Sequence, residues 1–181
     1  MIKVTSEELC KLLPQFELIE DSTLRNISLT IWKEACEKAD WEHLEDIPFG
    51  PGSDPTRFGF LHHVALVTQY SYEVARAYNN MEPQPINVEY VVAGALLHDV
   101  CKIVEYSING GRTQWGQHVT HGIYGIALMQ QHGLPIEVIH IVASHTAKLS
   151  MPNKTPEAII VAKCDSIAAG CVHLFEDAQA K

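Results

Sequence analysis

His98 and Asp99 are adjacent at the end of the apolar run Val91-Val92-Ala93-Gly94-Ala95-Leu96-Leu97, and Lys102 follows about one turn later. An ionised carboxylate beside such a run is costly unless it is paired or bound to a metal. Neighbouring residues on a helix diverge by about 100°, yet a helix lying tangentially to a site lets such a pair share one ion or serve two. Asp165 repeats the pattern after Ala158-Ile159-Ile160-Val161-Ala162. Further imidazoles stand before and between these carboxylates: His62 or His63, His118 or His121, and His145. From His63 through the pair to His121, His145 and Asp165 the intervals are 35, 22, 24 and 20 residues. Each interval is one helix plus a connector, so a bundle can aim one side chain from each helix at a common centre. Mixed imidazole and carboxylate donors suit Mn, Fe, Co, Ni or Zn better than calcium, which takes oxygen ligands. The expected cofactor is therefore one or two divalent transition-metal ions. Six ligands are enough for two, with Asp99 as the natural bridge.

The elements that must position these groups are helical, because apolar residues recur with helical period almost throughout. Thr5 and Glu8 have capping-box spacing for a first helix that weakens at Pro14. A second is expected over residues 21–39, with Leu24, Ile27, Ile31 and Ala35 on one face. The loop Pro48-Phe49-Gly50-Pro51-Gly52-Ser53-Asp54-Pro55 delivers the chain to a long helix over 58–78 that carries His62 and His63. After Pro83 and Pro85, a helix from residue 88 bears His98 and Asp99. Asn109-Gly110-Gly111 signals a turn and permits a small hairpin. Helices over 118–131 and 136–145 follow, separated by Gly133-Leu134-Pro135. The loop Met151-Pro152-Asn153-Lys154-Thr155-Pro156 leads to a last helix containing Asp165. The expected fold is all-α: a helical bundle over residues 57–175 with an N-terminal helical extension, 1–50, packed on it. Trp32 and Trp41 belong to that extension and serve either the core or a homodimer contact. His118 and His121 fall on nearly one helix face; His121, before the small residues Gly122 and Gly125, is the preferred ligand.

Composition narrows the function. With 46% hydrophobic and 19% charged residues in 181, the chain suits one domain with a real core. A net charge of −9 argues against long nucleic acid as a partner, while bound cations would reverse the sign locally for a small phosphorylated substrate. The N-terminus has no apolar signal core, and no stretch is expected to reach the roughly 20 apolar residues of a membrane span, so the expected location is cytoplasmic. Five cysteines without a Cys-x-x-Cys give neither a disulfide framework nor a zinc knuckle.

The pattern H…HD…H…H…D over about residues 57–170 resembles the HD superfamily of metal-dependent phosphohydrolases. The resemblance rests on Gly94-Ala95-Leu96-Leu97-His98-Asp99-Val100-Cys101-Lys102, Ser144-His145-Thr146 and Lys154-Thr155-Pro156-Glu157-Ala158-Ile159-Ile160. The last of these, with Phe60-Leu61-His62-His63 and Lys102-Ile103-Val104-Glu105-Tyr106-Ser107, is similar to the HD domain of a family of 3′–5′ exoribonucleases. His121-Gly122-Ile123-Tyr124-Gly125 and His145-Thr146 are more similar to HD-type hydrolases of dinucleoside tetraphosphates. Cys101 replaces the glycine that often precedes the lysine, and His145-Thr146 stands where the exoribonucleases pair histidines. The resemblance favours His63 over His62 and implies His63, His98, Asp99, His121, His145 and Asp165 as metal ligands. The expected activity is hydrolysis of a small phosphorylated, nucleotide-like substrate, by in-line attack of a metal-bound hydroxide held on Asp99. Lys102, Arg57 and Arg112 are candidate phosphate contacts, and His118 a candidate donor to the leaving group. The alternatives are a non-catalytic nucleotide-sensing domain and an HD-type di-iron oxygenase using the same ligands.

Overall fold

Helix starts are set by short polar side chains. In a computed structural model of the protein, which describes residues 1–50, 53–145 and 154–177, α1 (Ser6–Leu12) begins with a reciprocal capping box. Thr5 Oγ1 accepts from the Glu8 N–H, and the Glu8 carboxylate accepts from the Thr5 N–H. The Asp21 carboxylate caps α2 (Ser22–Lys38) by accepting from the N–H groups of Thr23 and Leu24. Asp54 does the same for the short α3 (Pro55–Phe58), which runs into the long α4 (Phe60–Met81). Asn87 caps α5 (Val88–Leu97). A single turn, α6 (Lys102–Glu105), then precedes α7 (His121–Gln131), α8 (Ile136–Ser144) and α9 (Pro156–Asp177). Among the described residues there is no strand. The glycine turn closes only an isolated antiparallel bridge between Tyr106 and Arg112, with Gly110 at φ +80°.

α5 is apolar on every side, and Val91 through Leu97 are all buried, as expected of a helix surrounded by others. It packs on α2, α4, α8 and α9. Its approach to α8 is close: a Cβ at Gly94 would lie 2.5 Å from Cγ2 and 2.9 Å from Cβ of Ile141. Val67 and Ala75 of α4, Val91 and Ala95 of α5, Ile141 and Val161 form the core on that side. The N-terminal segment shares a second core with the bundle, since Leu9, Phe16 and Ile31 cluster with Leu96, Leu97 and Val100. Trp32 is fully buried and donates its indole N–H to the Leu96 carbonyl at 3.0 Å, and Trp41 donates to Tyr106 O at 3.0 Å. The aromatic bodies fill the seam and each buried N–H finds a partner.

Three local expectations need correction. His98 and Asp99 are not inside a helix. After Leu97 the backbone tightens to bonds three residues back, Val100 N–H to Leu97 O and Lys102 N–H to Asp99 O, so the pair occupies the turn between α5 and α6. Helix α7 starts at His121, because Thr120 is extended (φ −74°, ψ 154°), which leaves His118 in the preceding turn and off the face of His121. Residues 156–175 of α9 are long and apolar enough to cross a membrane, with a mean hydropathy of 1.6, contrary to the expected absence of such a stretch. Here α9 packs on α4, α5 and α8 and carries Asp165 toward α4. Pro51, Gly52, Thr146 and the segment 151–153 lie outside the described residues.

Candidate metal centre

Four helix ends and two helix interiors meet at Asp99, which is buried. Its two carboxylate oxygens face two different groups. Oδ2 lies 3.5 Å from His63 Nε2 and 3.3 Å from His98 Nε2, while Oδ1 lies 3.3 Å from His121 Nε2 and 3.4 Å from His145 Nε2. Asp165 joins the first group, its Oδ1 3.2 Å from His63 Nε2 and 3.9 Å from His98 Nε2. The Lys102 ammonium sits 2.6 Å from Asp99 Oδ2. Exposure is uneven: the Lys102, Asp165 and His121 side chains are 25%, 22% and 15% exposed, the other four 2% or less.

Three of the four imidazoles are aimed by their outer nitrogens, while His63 Nδ1 is buried without a hydrogen-bond partner. His98 and His145 each follow the last residue of a helix, where carbonyls lack partners. Their Nδ1 atoms lie 2.6 Å from Ala95 O and 2.5 Å from Val142 O, each three residues back. Donating there puts the proton on Nδ1 and turns the Nε2 lone pair inward, as metal-ligating histidines require. His63, inside α4, faces the centre while the neighbouring His62 is exposed. His121 opens α7 and is aimed by Glu105, whose Oε2 accepts from its backbone N–H at 2.7 Å and lies 2.5 Å from its Nδ1.

The donors fit a cation. Asp99 Oδ1, His121 Nε2 and His145 Nε2 are buried without a hydrogen-bond partner: they approach each other closely but out of line for one. Three lone-pair atoms converging unsatisfied is an arrangement that a cation relieves. Two triads, His63–His98–Asp99 and Asp99–His121–His145, each place their ligand atoms within 4.8 Å of one another, and Asp99 belongs to both. Burial pushes the Asp99 carboxyl up, but Lys102 and the imidazoles outweigh it and hold Asp99 well below the usual carboxylate range. Burial lowers His121, yet Asp99 and Glu105 raise it to about 9. Lys102 is likewise raised, the Asp99 carboxylate overriding its burial.

The structure thus brings together His63, His98, Asp99, Lys102, His121, His145 and Asp165. It places the other anticipated residues elsewhere. Arg112 pairs with Glu105 at 2.6 Å and donates to the Gly116 carbonyl at 2.9 Å, one layer behind His121. Arg57 is exposed on α3, its guanidinium carbon 5.9 Å from the centroid of the Phe58 ring. His118 is exposed in the turn before α7. Glu105 stands in the motif Lys102-Ile103-Val104-Glu105-Tyr106-Ser107, where the sequence assigns it no role. Its one signal is an acidic residue closing an apolar turn just after the His-Asp pair. Phe49 was also unread: its ring centroid lies 4.6 Å from that of His63 and 5.6 Å from the Lys102 ammonium.

The HD domain family model matches residues 60–170. The chain is 30% identical over 126 residues to a dihydroneopterin 2′,3′-cyclic phosphate phosphodiesterase of Methanocaldococcus jannaschii, covering 68% of this chain and 47% of that protein. It is 31% identical over 104 residues to ribonuclease Y of Petrotoga mobilis, covering 57% of this chain and 18% of the relative. A tRNA (cytidine(56)-2′-O)-methyltransferase of Thermoplasma volcanium is 32% identical over 124 residues, 61% of this chain and 32% of that one. The chain therefore spans about half or less of the length of these curated relatives. No solved structure matches it.

Proposed function

The chain belongs to the HD domain family, and from that premise we propose that it is a metal-dependent phosphohydrolase acting on a small, nucleotide-like phosphoester. The observation that carries this reading is Asp99, one carboxylate turned toward two imidazole sets with its Oδ1 left unsatisfied. His63, His98, Asp99 and Asp165 would hold one divalent ion, and Asp99, His121 and His145 would hold a second. When bound, such a pair lowers the pKa of water toward neutrality and neutralises phosphate oxygens.

The protein's own groups do the rest. Asp99, kept ionised by Lys102 and the imidazoles, joins the two ligand sets and fixes their separation. The partly exposed Lys102 ammonium is a point charge for a phosphate oxygen. Trp41, Phe49, Phe60 and Tyr106 pack beside Lys102 around a cleft of only 30 Å³, room for about one water. Two relatives named as a cyclic-phosphate phosphodiesterase and a ribonuclease support a phosphodiester as the bond cleaved. The test is a screen of nucleoside monophosphates, cyclic nucleotides and dinucleoside polyphosphates with Mn, Co, Ni or Mg. Metal-dependent release of phosphate or nucleotide is expected, and the absence of turnover on every class overturns the reading.

A further inference from the structure

We infer that Glu105 is the positioning residue of the second metal site, and that the loop from Tyr106 to Gly116, closed by Arg112, is the device that holds it. The inference rests on the binuclear reading above. Of the four imidazoles at Asp99, three have an acceptor for the outer nitrogen, and His63 Nδ1 has none. His98 and His145 stand just past helix C-termini and use the free carbonyl three residues back. His121 has no such recourse, because it is the first residue of α7 and no helical carbonyl precedes it. It instead has a free backbone N–H, and Thr120 provides no side-chain cap. Glu105 meets both needs with one oxygen, accepting the α7 N-terminal N–H at 2.7 Å and the His121 Nδ1–H at 2.5 Å. A carboxylate at that position also faces the positive end of the α7 dipole. The result is Nε2 of His121 aimed at Asp99 Oδ1.

The surroundings of Glu105 are built to keep it there. It is 4% exposed, so its charge needs a partner, and Arg112 Nη1 lies 2.6 Å from Oε1, the oxygen His121 does not use. The loop then returns over the Glu105 backbone. Thr113 donates its N–H to Glu105 O at 3.0 Å and its hydroxyl to Val104 O at 2.8 Å, and Gly116 donates its N–H to Thr113 Oγ1 at 3.0 Å. Gly116 passes so close that a Cβ there would lie 2.1 Å from the Glu105 carbonyl oxygen. Arg112 closes the loop on the Gly116 carbonyl at 2.9 Å. The turn and the arginine thus act through Glu105 and His121.

The test is Mn(II) uptake by the full chain, followed by isothermal titration and by the electron paramagnetic resonance signal of a carboxylate-bridged Mn pair. Wild type is expected to take two ions and give the coupled signal. Glu105→Gln keeps the volume but loses the charge and one acceptor oxygen. It is expected to bind the first ion within about twofold of wild type and the second roughly 10–100-fold more weakly, the usual cost of losing an outer partner of a ligand. The coupled signal then disappears at concentrations where wild type shows it. Arg112→Gln, on a half-exposed side chain, leaves the carboxylate in place but unclamped, and a several-fold weakening confined to the second ion is expected. A merely structural role predicts loss of both ions, or of neither with a lower melting temperature. Unchanged affinity for two ions in both variants, or equal weakening of both ions, overturns the role of Glu105. Fewer than two ions in wild type contradicts the binuclear reading itself, and this inference falls with it.

Discussion

Asp99 works because its two oxygens have different neighbours, and that division shapes the chemistry of each surrounding group. Without metal, the Asp99 and Glu105 carboxylates outweigh burial and raise the His121 imidazole to about 9. A metal must displace that proton, so uptake at the second site should strengthen about tenfold per pH unit as pH rises to about 9 and level off above it. Mn titrations at three pH values in buffers of different ionisation enthalpy measure both the slope and the proton released; affinity independent of pH contradicts this. Lys102 gives a second prediction. Lys102→Met should keep both ions, because Lys102 is not a ligand, yet lose roughly 10²–10³-fold in turnover as a removed electrostatic contact does. Unchanged turnover removes Lys102 from phosphate binding. The imidazoles and carboxylates of the centre were legible in the sequence because charged and imidazole side chains are conspicuous beside Val91–Leu97 and Ala158–Ala162. Glu105 was not legible: its task depends on where α7 begins, which nothing in its own neighbours records. Arg112 is the converse case, an arginine in a glycine turn that reads as a phosphate contact and is found facing Glu105.

The helices set these groups by where they end rather than by which face they present. α5 and α8 deliver His98 and His145 just beyond their last residues, α7 delivers His121 as its first, and α4 and α9 contribute His63 and Asp165 from inside. Apolar periodicity locates the helices but not the tightening after Leu97, since the apolar sequence continues through Val100 and Ile103. The start of α7 offers one readable signal in Thr120, a residue type favoured at N-caps, although its side chain makes no cap hydrogen bond. Alignment of α5 with α8 depends on Gly94. Gly94→Ala would force a methyl group into Ile141 and should cost about 1–3 kcal/mol, as overpacking of a tight core does. Denaturant unfolding measures this, and a variant as stable as wild type means that α8 moves away freely. Because α8 carries His145, a shift of α8 should also weaken the second ion.

Across the whole molecule, the N-terminal segment and the HD bundle share one hydrophobic core through Trp32 and Leu96, and the candidate metal centre lies where α4, α5, α7, α8 and α9 converge. The all-α bundle with a helical extension was legible because the apolar periods are long and the breakers clear. Invisible in sequence was how the extension joins the bundle, since the Trp32 and Trp41 indoles donate to backbone carbonyls 64 and 65 residues away. The unsatisfied atoms around Asp99 make the fold itself sensitive to metal. A ligand that binds only the folded state stabilises it by about 2.7 kcal/mol at one hundred times its Kd, so chelator-treated protein should melt at a lower temperature and recover when Mn is added. An equal melting temperature with and without metal contradicts a built metal site. The most direct test of the central claim is the metal content of the purified protein, measured together with metal-dependent phosphoester hydrolysis in wild type and Asp99→Ala. Two transition-metal ions per chain, with turnover and most of the metal lost in the variant, are the predicted result. Full occupancy of both sites without hydrolysis of any phosphoester, or activity that survives loss of Asp99, would contradict it.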